Sequence, residues 1–313
     1  MNKVNLDRTK LFVSEIGFGC GPLGSNEWGR YDDKDTINAV AKAYDIGINY
    51  FDTADVYGLG RSEELLGKAL GKNRHDAVIS TKFGVNWKDN DRGLRAETFY
   101  DSSPSRVRKA LEDSLRRLNI ESIPLYFMHW PDPNTPVEQT LEVLSGFLAQ
   151  GKIQYIGLSN FSYKQIKEVN EILDVSAIQV QHSLIDQELD NEIVELCQNN
   201  SINILSYGSL AQGLLSGKYD NYFEFGEDDC RLRLSHFHGD QFEKHLPILN
   251  QIKDIATKYQ VSSSQVALRW ALEEPRISSV ITGIKNISQL EDNVASLDWK
   301  YDDVDYSFFK RSQ

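Results

Sequence analysis

The strongest constraint on this chain is a repeated pattern. Eight short apolar runs recur along it, at 16–19, 47–51, 77–81, 123–128, 153–158, 177–180, 202–206 and 278–281. Between and after them, apolar residues recur with helical spacing near 34–46, 62–70, 104–118, 136–149, 162–172, 189–199, 242–259, 262–273 and 286–296. Start signals mark several of these stretches: Ser62 with Glu63 and Glu64 in the first turn, Pro104, and Thr135-Pro136. Strands alternating with helices specify a parallel sheet, and eight such units close a (β/α)8 TIM barrel. The alternative, a doubly wound sheet, needs a Gly-rich fingerprint after the first strand. GFGCGPLG is the one candidate, with Gly17, Gly19, Gly21 and Gly24. Pro22 would break the helix that fingerprint opens, and no acidic residue ends the second strand in the expected way. The barrel is therefore expected, as one domain over residues 1–313. Segment 2–14, with a turn at Asp7-Arg8-Thr9, reads as an N-terminal β-hairpin plugging its bottom.

Composition narrows the partners. Lys and Arg number 34 against 46 Asp and Glu, a net charge of −12. A surface this negative disfavours nucleic acid and anionic membranes, so an anionic ligand needs a local basic cluster. Three cysteines without a paired spacing argue against a disulfide framework and a zinc site. The N-terminal MNKVNLDRTKLFVSEIG lacks an apolar signal region, and no run approaches a membrane span, so a cytoplasmic location is expected.

In a barrel, the carboxyl ends of the strands face one mouth. Asp52 ends the second run with Tyr57 beyond it, Thr81-Lys82 ends the third, and His129-Trp130 the fourth. A free tyrosine has a pKa of about 10, too high for a good proton donor at neutral pH. An ammonium nearby favours phenolate and lowers that value, and an aspartate keeps a buried ammonium charged. Asp52, Tyr57, Lys82 and His129 therefore read as a catalytic set. Tyr57 is its general acid and His129 a hydrogen-bond donor to the same carbonyl oxygen. Tyr57 follows Asp52 by 5 residues, Lys82 follows Tyr57 by 25, and His129 follows Lys82 by 47.

With those motifs (DTADVYG, STKFG, YFMHWPD), the chain resembles the aldo-keto reductases from about residue 11 to residue 298. Within them it is most similar to a bacterial branch of inositol-operon and general-stress reductases, which approaches the β subunits of potassium channels. The resemblance implies reduction of an aldehyde or ketone by hydride transfer from NADP(H), bound without a Rossmann unit. By the same resemblance, Ser159, Asn160 and Gln181 hold the nicotinamide carboxamide, and Tyr207 stacks under the ring. Gly21 and Pro22 border the cofactor together with Asp52. Gly208, Ser209, Leu210, Gln212 and Gly213 line the pyrophosphate, with Gly208-Ser209 standing where most relatives have Ser-Pro. Gly283, Lys285, Gln289, Asp292 and Asn293 hold the adenosine half, and Lys218 and Arg231 reach in from the loop after the seventh strand. Asn286 with Gln289 reads as a capping box that points a helix N-terminus at the mouth. Three cations around one expected phosphate favour NADP(H) over NAD(H).

Trp28, Tyr57, Phe83, Trp87, His129 and Trp130 are expected to wall the substrate. Polar loops after the third and seventh strands suit a sugar-like or polyol-derived carbonyl. Cys20 reads as a small buried residue, and His236 and His238 as loop residues rather than metal ligands. Three rivals stand beside the reductase: a cofactor-binding regulatory or redox-sensing subunit, a barrel glycosidase, and a Schiff-base lyase. The glycosidase lacks its paired carboxylates, because the fourth and seventh strands end in His129 and Tyr207. The lyase would need Lys82 neutral, whereas Asp52 holds it charged.

Overall fold

The computed structural model describes residues 1–29, 32–88, 96–220 and 223–311. Eight parallel strands close into a barrel: β3 (Ile16–Gly19), β4 (Tyr50–Asp52), β5 (Val78–Phe83), β8 (Ile123–Met128), β9 (Ile153–Ser159), β10 (Val175–Gln181), β11 (Asn203–Tyr207) and β12 (Ile277–Gly283). Closure comes from β12, whose Val280 to Gly283 pair with Ile16 to Gly19 of β3. These strands are buried on both faces, as parallel strands are; every residue of β5 is buried, its polar Ser80, Thr81 and Lys82 included.

Helices α1 (Asp33–Asp45), α2 (Arg61–Leu70), α3 (Pro104–Leu118), α4 (Val137–Ala149), α5 (Tyr163–Ile172), α6 (Asn191–Asn200), α7 (Gly239–Tyr259), α8 (Ser263–Leu272) and α9 (Ile287–Val294) surround the barrel; α10 (Asp303–Arg311) follows. Among the described residues, no helix is long and apolar enough to cross a membrane.

The hairpin expected at the bottom is present, as β1 (Lys3–Asn5) paired antiparallel with β2 (Phe12–Ser14). Its Leu6, Leu11 and Val13 are buried against Tyr50, Val78, Leu125, Phe127 and Ile281 inside the barrel. The lower lumen is thus filled with hydrocarbon, and polar side chains can gather only at the top.

Three details differ from the sequence reading. The second strand starts at Tyr50, because Gly47 turns left-handed at φ 99° after α1. Ser62 is not the cap of α2; left-handed Gly60 holds that place, and Ser62 lies in the first turn with its hydroxyl donating to the Cys20 carbonyl at 2.9 Å. The loop after β5 carries a further hairpin, β6 (Val85–Trp87) with β7 (Thr98–Tyr100). Residues 89–95 of that loop lie outside the described residues.

Candidate active site

Strand alternation sorts the residues at the barrel top. On β4 and β5, Asp52, Ser80 and Lys82 turn into the lumen, while Phe51, Thr81 and Phe83 turn out toward the helices. Lys82 Nζ lies 2.6 Å from Asp52 Oδ2 and donates to the Thr53 carbonyl at 2.8 Å. The other Asp52 oxygen accepts from Ser80 Oγ at 2.7 Å and Gln179 Nε2 at 2.6 Å. Both side chains of the pair are buried, 2% and 6% exposed, so neither charge has water to turn to.

Tyr57 stands above this pair, with Lys82 Nζ 5.1 Å from its ring centre. Its loop is held by close packing: Gly58 sits at φ 54°, and a Cβ there would meet the Gly24 carbonyl oxygen at 2.4 Å. Only glycine fits that approach. Burial pushes the Tyr57 phenol above its ordinary pKa; Lys82 pulls the other way, and Asp52 pushes it up again. The expectation of a lowered value is thus corrected, because burial outweighs the pull of the Lys82 ammonium and Asp52 offsets part of that pull. Lys82 loses from burial and gains more from Asp52 and then Tyr57, so its pKa is raised and it stays charged.

His129 completes the set, its ring edge-on to Tyr57 with centres 5.8 Å apart. Burial, then the Lys82 charge, hold its pKa well below the ordinary histidine value, so the imidazole is neutral at pH 7. Its Nδ1 is buried without a partner. Asn160, left-handed at φ 64°, ties the neighbourhood together: its amide donates to the His129 carbonyl at 3.0 Å, and its oxygen accepts from the Tyr207 hydroxyl at 2.7 Å.

A second buried ion pair backs the first. Outward-facing Thr81 donates to Glu63 Oε1 at 2.6 Å, and Glu63 Oε2 accepts from Arg117 Nε at 2.6 Å. Asp55 lies nearby, and its carboxyl is held well above the usual range by burial and then by Glu63. Sequence reasoning missed this cluster because its residues come from a loop, a strand and two helices.

A cavity of about 660 Å³ opens from the ion pair across the mouth. Asp52, Tyr57, Lys82, His129, Trp28 and Trp130 line it, as do Gly21, Pro22, Ser159, Asn160, Tyr207, Gly208, Ser209, Leu210, Gln212, Gly213, Lys218, Arg231, Gly283, Lys285, Gln289, Asp292 and Asn293. Gln179 and Thr282 also line it, and the sequence reading did not name them.

Three expected residues lie elsewhere. Gln181 is exposed at the rim, where a hydrogen bond links it to Asp186; Gln179, two positions earlier on the same strand face, takes the deeper place. Phe83 is fully buried outside the lumen, stacked on Tyr126 at 4.8 Å, because it follows inward-facing Lys82. Trp87 sits on the added hairpin, away from the cavity lining. At the rim it is Tyr100, from that same hairpin, that meets Trp130, with ring centres 6.2 Å apart.

The far end of the cavity is cationic, with qualifications. Arg231 is paired with Asp229 through Nε at 2.8 Å and also through Nη2, and its guanidinium lies 4.6 Å from the Phe225 ring centre. Tyr219, Phe223, Phe225 and Phe237 pack against one another around it, so a loop that reads as polar hides an aromatic core. Lys285 keeps a pKa of about 8, lowered by burial and then by Arg231. Asn286 caps α9 through the Gln289 N–H, but the Gln289 side chain accepts from Lys285 N rather than closing a box. Asp292 accepts from Ser262 Oγ at 2.8 Å and Gln265 Nε2 at 2.7 Å. Cys20 is buried with its thiol pKa pushed well up by burial and Asp52, which suits packing rather than thiolate chemistry.

Residues 15–312 match the Aldo/keto reductase family. The chain is 35% identical over 294 residues to the aldo-keto reductase YhdN of Bacillus subtilis (strain 168), covering 93% of this chain and 87% of that protein. It is 31% identical over 324 residues to the NADH-specific methylglyoxal reductase of Escherichia coli (strain K12), covering 99% and 98%. Its fold matches the glycerol dehydrogenase AKR11B4 from Gluconobacter oxydans with a TM-score of 0.89 at 32% identity, covering 99% of this chain and 94% of the other. The chain belongs to the aldo/keto reductase family, oxidoreductases that act on carbonyls with a nicotinamide cofactor.

Proposed function

We propose that the protein reduces a small hydroxylated aldehyde or ketone with NADPH, and that Tyr57 is the general acid. The observation that carries this reading is the buried Lys82–Asp52 pair beneath Tyr57, at the edge of a cavity that also holds His129. A raised phenol pKa keeps the Tyr57 proton in place at pH 7. Once the carbonyl carbon has taken hydride, its oxygen becomes an alkoxide, a far stronger base than phenolate, so the proton still moves toward it. Lys82 then faces the phenolate left behind, and its charge counts most in that state. Neutral His129 can donate one N–H to the carbonyl oxygen. Its buried Nδ1 has no acceptor, so the proton is better placed on Nε2.

The residues present fit a dinucleotide. The loop after β11 runs left-handed through Ala211, Gln212 and Gly213, at φ 46°, 53° and 98°. Such backbone strain costs about 1–3 kcal/mol for each non-glycine residue and collects at ligand sites. Gln212 Oε1 is buried there without a partner. Gln179 replaces Gln181 among the residues proposed at the nicotinamide end, with Ser159, Asn160 and Tyr207; the bound cofactor supplies hydride to the carbonyl carbon.

Preference for NADPH rests on Lys285, with Lys218 and Arg231 beside it on a protein of charge −12. The E. coli relative is named NADH-specific, so this choice is drawn from the residues of this chain. Trp28, Trp130 and Tyr100 at the rim offer flat faces to a small substrate. Tyr57→Phe tests the mechanism: kcat should fall about 10²–10⁴-fold while NADPH affinity by fluorescence titration is unchanged. Near-normal turnover would remove Tyr57 from the acid role.

A further inference from the structure

Arg231, one of three cations at the far end of the cavity, carries a buried counter-ion. Asp229 Oδ1 accepts from Arg231 Nε at 2.8 Å, and Asp229 Oδ2 accepts from Nη2. The two side chains are 10% and 3% exposed. Arg231 Nη2 also donates to the Trp28 carbonyl at 3.3 Å, and Nη1 donates to the Tyr219 hydroxyl. Four of the five guanidinium N–H donors are therefore engaged by the protein itself. The pair lies against Gly29, where a Cβ would come within 3.3 Å of Arg231 Nη2 and 3.4 Å of Asp229 Oδ2.

Asp229 keeps its charge in this place. Burial opposes ionisation, but hydrogen bonds from the Arg231 side chain and its backbone N–H hold the carboxyl below its usual range. Lys285 feels the same carboxylate, which pulls its pKa up against burial and Arg231. A carboxylate bound through two oxygens satisfies the guanidinium fork that would otherwise suit a phosphate. It also sets a negative charge beside the end of the cavity where a phosphate, carrying about −1.5 to −2 at pH 7, is proposed to sit. A like charge discriminates against one ligand just as an attractive contact favours another.

Resting on the NADPH reading above, we propose that Asp229 is a specificity-determining residue, which holds back the preference for a nucleotide bearing a 2′-phosphate. It occupies Arg231 and opposes the phosphate charge, so Lys285 and Lys218 are left to make the distinction. A nucleotide without that phosphate meets no such penalty. Asp229 therefore acts on the ratio of the two affinities and not on the adenosine half that both cofactors share.

The test uses the full chain and two fragments, 2′,5′-ADP and 5′-AMP. Binding is measured by calorimetry at about pH 6.5, well below the Lys285 pKa of about 8, so that loss of the Asp229 charge does not discharge that ammonium. In the wild type, 2′,5′-ADP should bind more tightly than 5′-AMP. Asp229→Asn removes the charge but keeps the shape and an acceptor for the Arg231 N–H; Asp229→Ala removes both. In each variant the ratio of the two affinities should rise by about three- to tenfold, with 5′-AMP binding unchanged. A ratio above one that stays the same or falls in either variant would overturn the inference and make Asp229 a brace for Arg231. Equal affinity for the two fragments in all three proteins would overturn the NADPH reading itself.

Discussion

Two buried ion pairs stand back to back across one strand. Lys82–Asp52 and Arg117–Glu63 have the same 2.6 Å separation, and their side chains are 2% and 6% exposed in the first and 9% and 0% in the second. Adjacent residues of β5, Thr81 and Lys82, touch one pair each. The inner pair borders a cavity and the Tyr57 phenol; the outer pair is sealed between helices, with Thr81 as its further partner. A buried salt bridge is therefore no sign of chemistry by itself. What separates the two is access to a reacting group. The strand's two-residue period makes that choice, sending Lys82 inward and Thr81 outward.

The largest effect should come from the inner pair. Asp52→Asn keeps the shape and removes the counter-ion, leaving Lys82 as a buried cation whose pKa must fall. The expected outcome is a loss of kcat of orders of magnitude with a changed rate–pH profile, together with about 3–5 kcal/mol of lost stability. Rate–pH curves beside thermal melts check it. An unchanged profile on a less stable protein would make the two pairs equivalent.

Arg117→Met is the matching change outside. It leaves Glu63 buried without its cation, so stability should fall by about 3–5 kcal/mol in a denaturant titration. Turnover per folded molecule should stay within about threefold, because Arg117 reaches no cavity atom. A collapse of kcat in folded Arg117→Met protein would join the outer pair to the chemistry.

A smaller effect is expected at the opposite end of the cavity, at Lys285. Lys285 titrates near pH 8 in the free protein. Its charged form is the one proposed to meet a 2′-phosphate, so NADPH affinity should fall about tenfold between pH 7 and pH 9, with NADH affinity flat. Unfolding does not mimic this. The folded Lys285 pKa lies below the unfolded value of about 10.4, so between about 8 and 10.4 the unfolded state holds more protons, and this group's contribution to stability rises with pH. Parallel titration curves for the two cofactors would show that Lys285 does not meet the extra phosphate.

The smallest effect belongs to Gln181. It is exposed at the rim, so Gln181→Ala should change stability by less than about 0.5 kcal/mol and leave cofactor affinity unchanged. A measurable loss of affinity for both cofactors would return it to the site in place of Gln179.

The sequence carried the barrel and the positions of Asp52, Tyr57, Lys82 and His129, because strand–helix alternation and strand-end motifs are local signals. It also located the hairpin plug, where Leu6, Leu11 and Val13 alternate around a short turn. What it misplaced depends on direction and distance. Phe83 and Gln181 sit in the right motifs, but packing turned one outward and left the other exposed, and the depth of a residue within a strand is set by closure of the whole barrel. The Tyr57 pKa could not be read locally either, because burial outweighs Lys82 and Asp52 offsets it. Arg231 looked like a free cation until the fold brought Asp229 and Phe225 against it. Periodicity and motif spacing are written in neighbouring residues, so the sequence alone determined the architecture and the identity of the polar set. Which charges are neutralised and which side chains reach the cavity depend on residues far apart in the chain, and only the tertiary structure decided them.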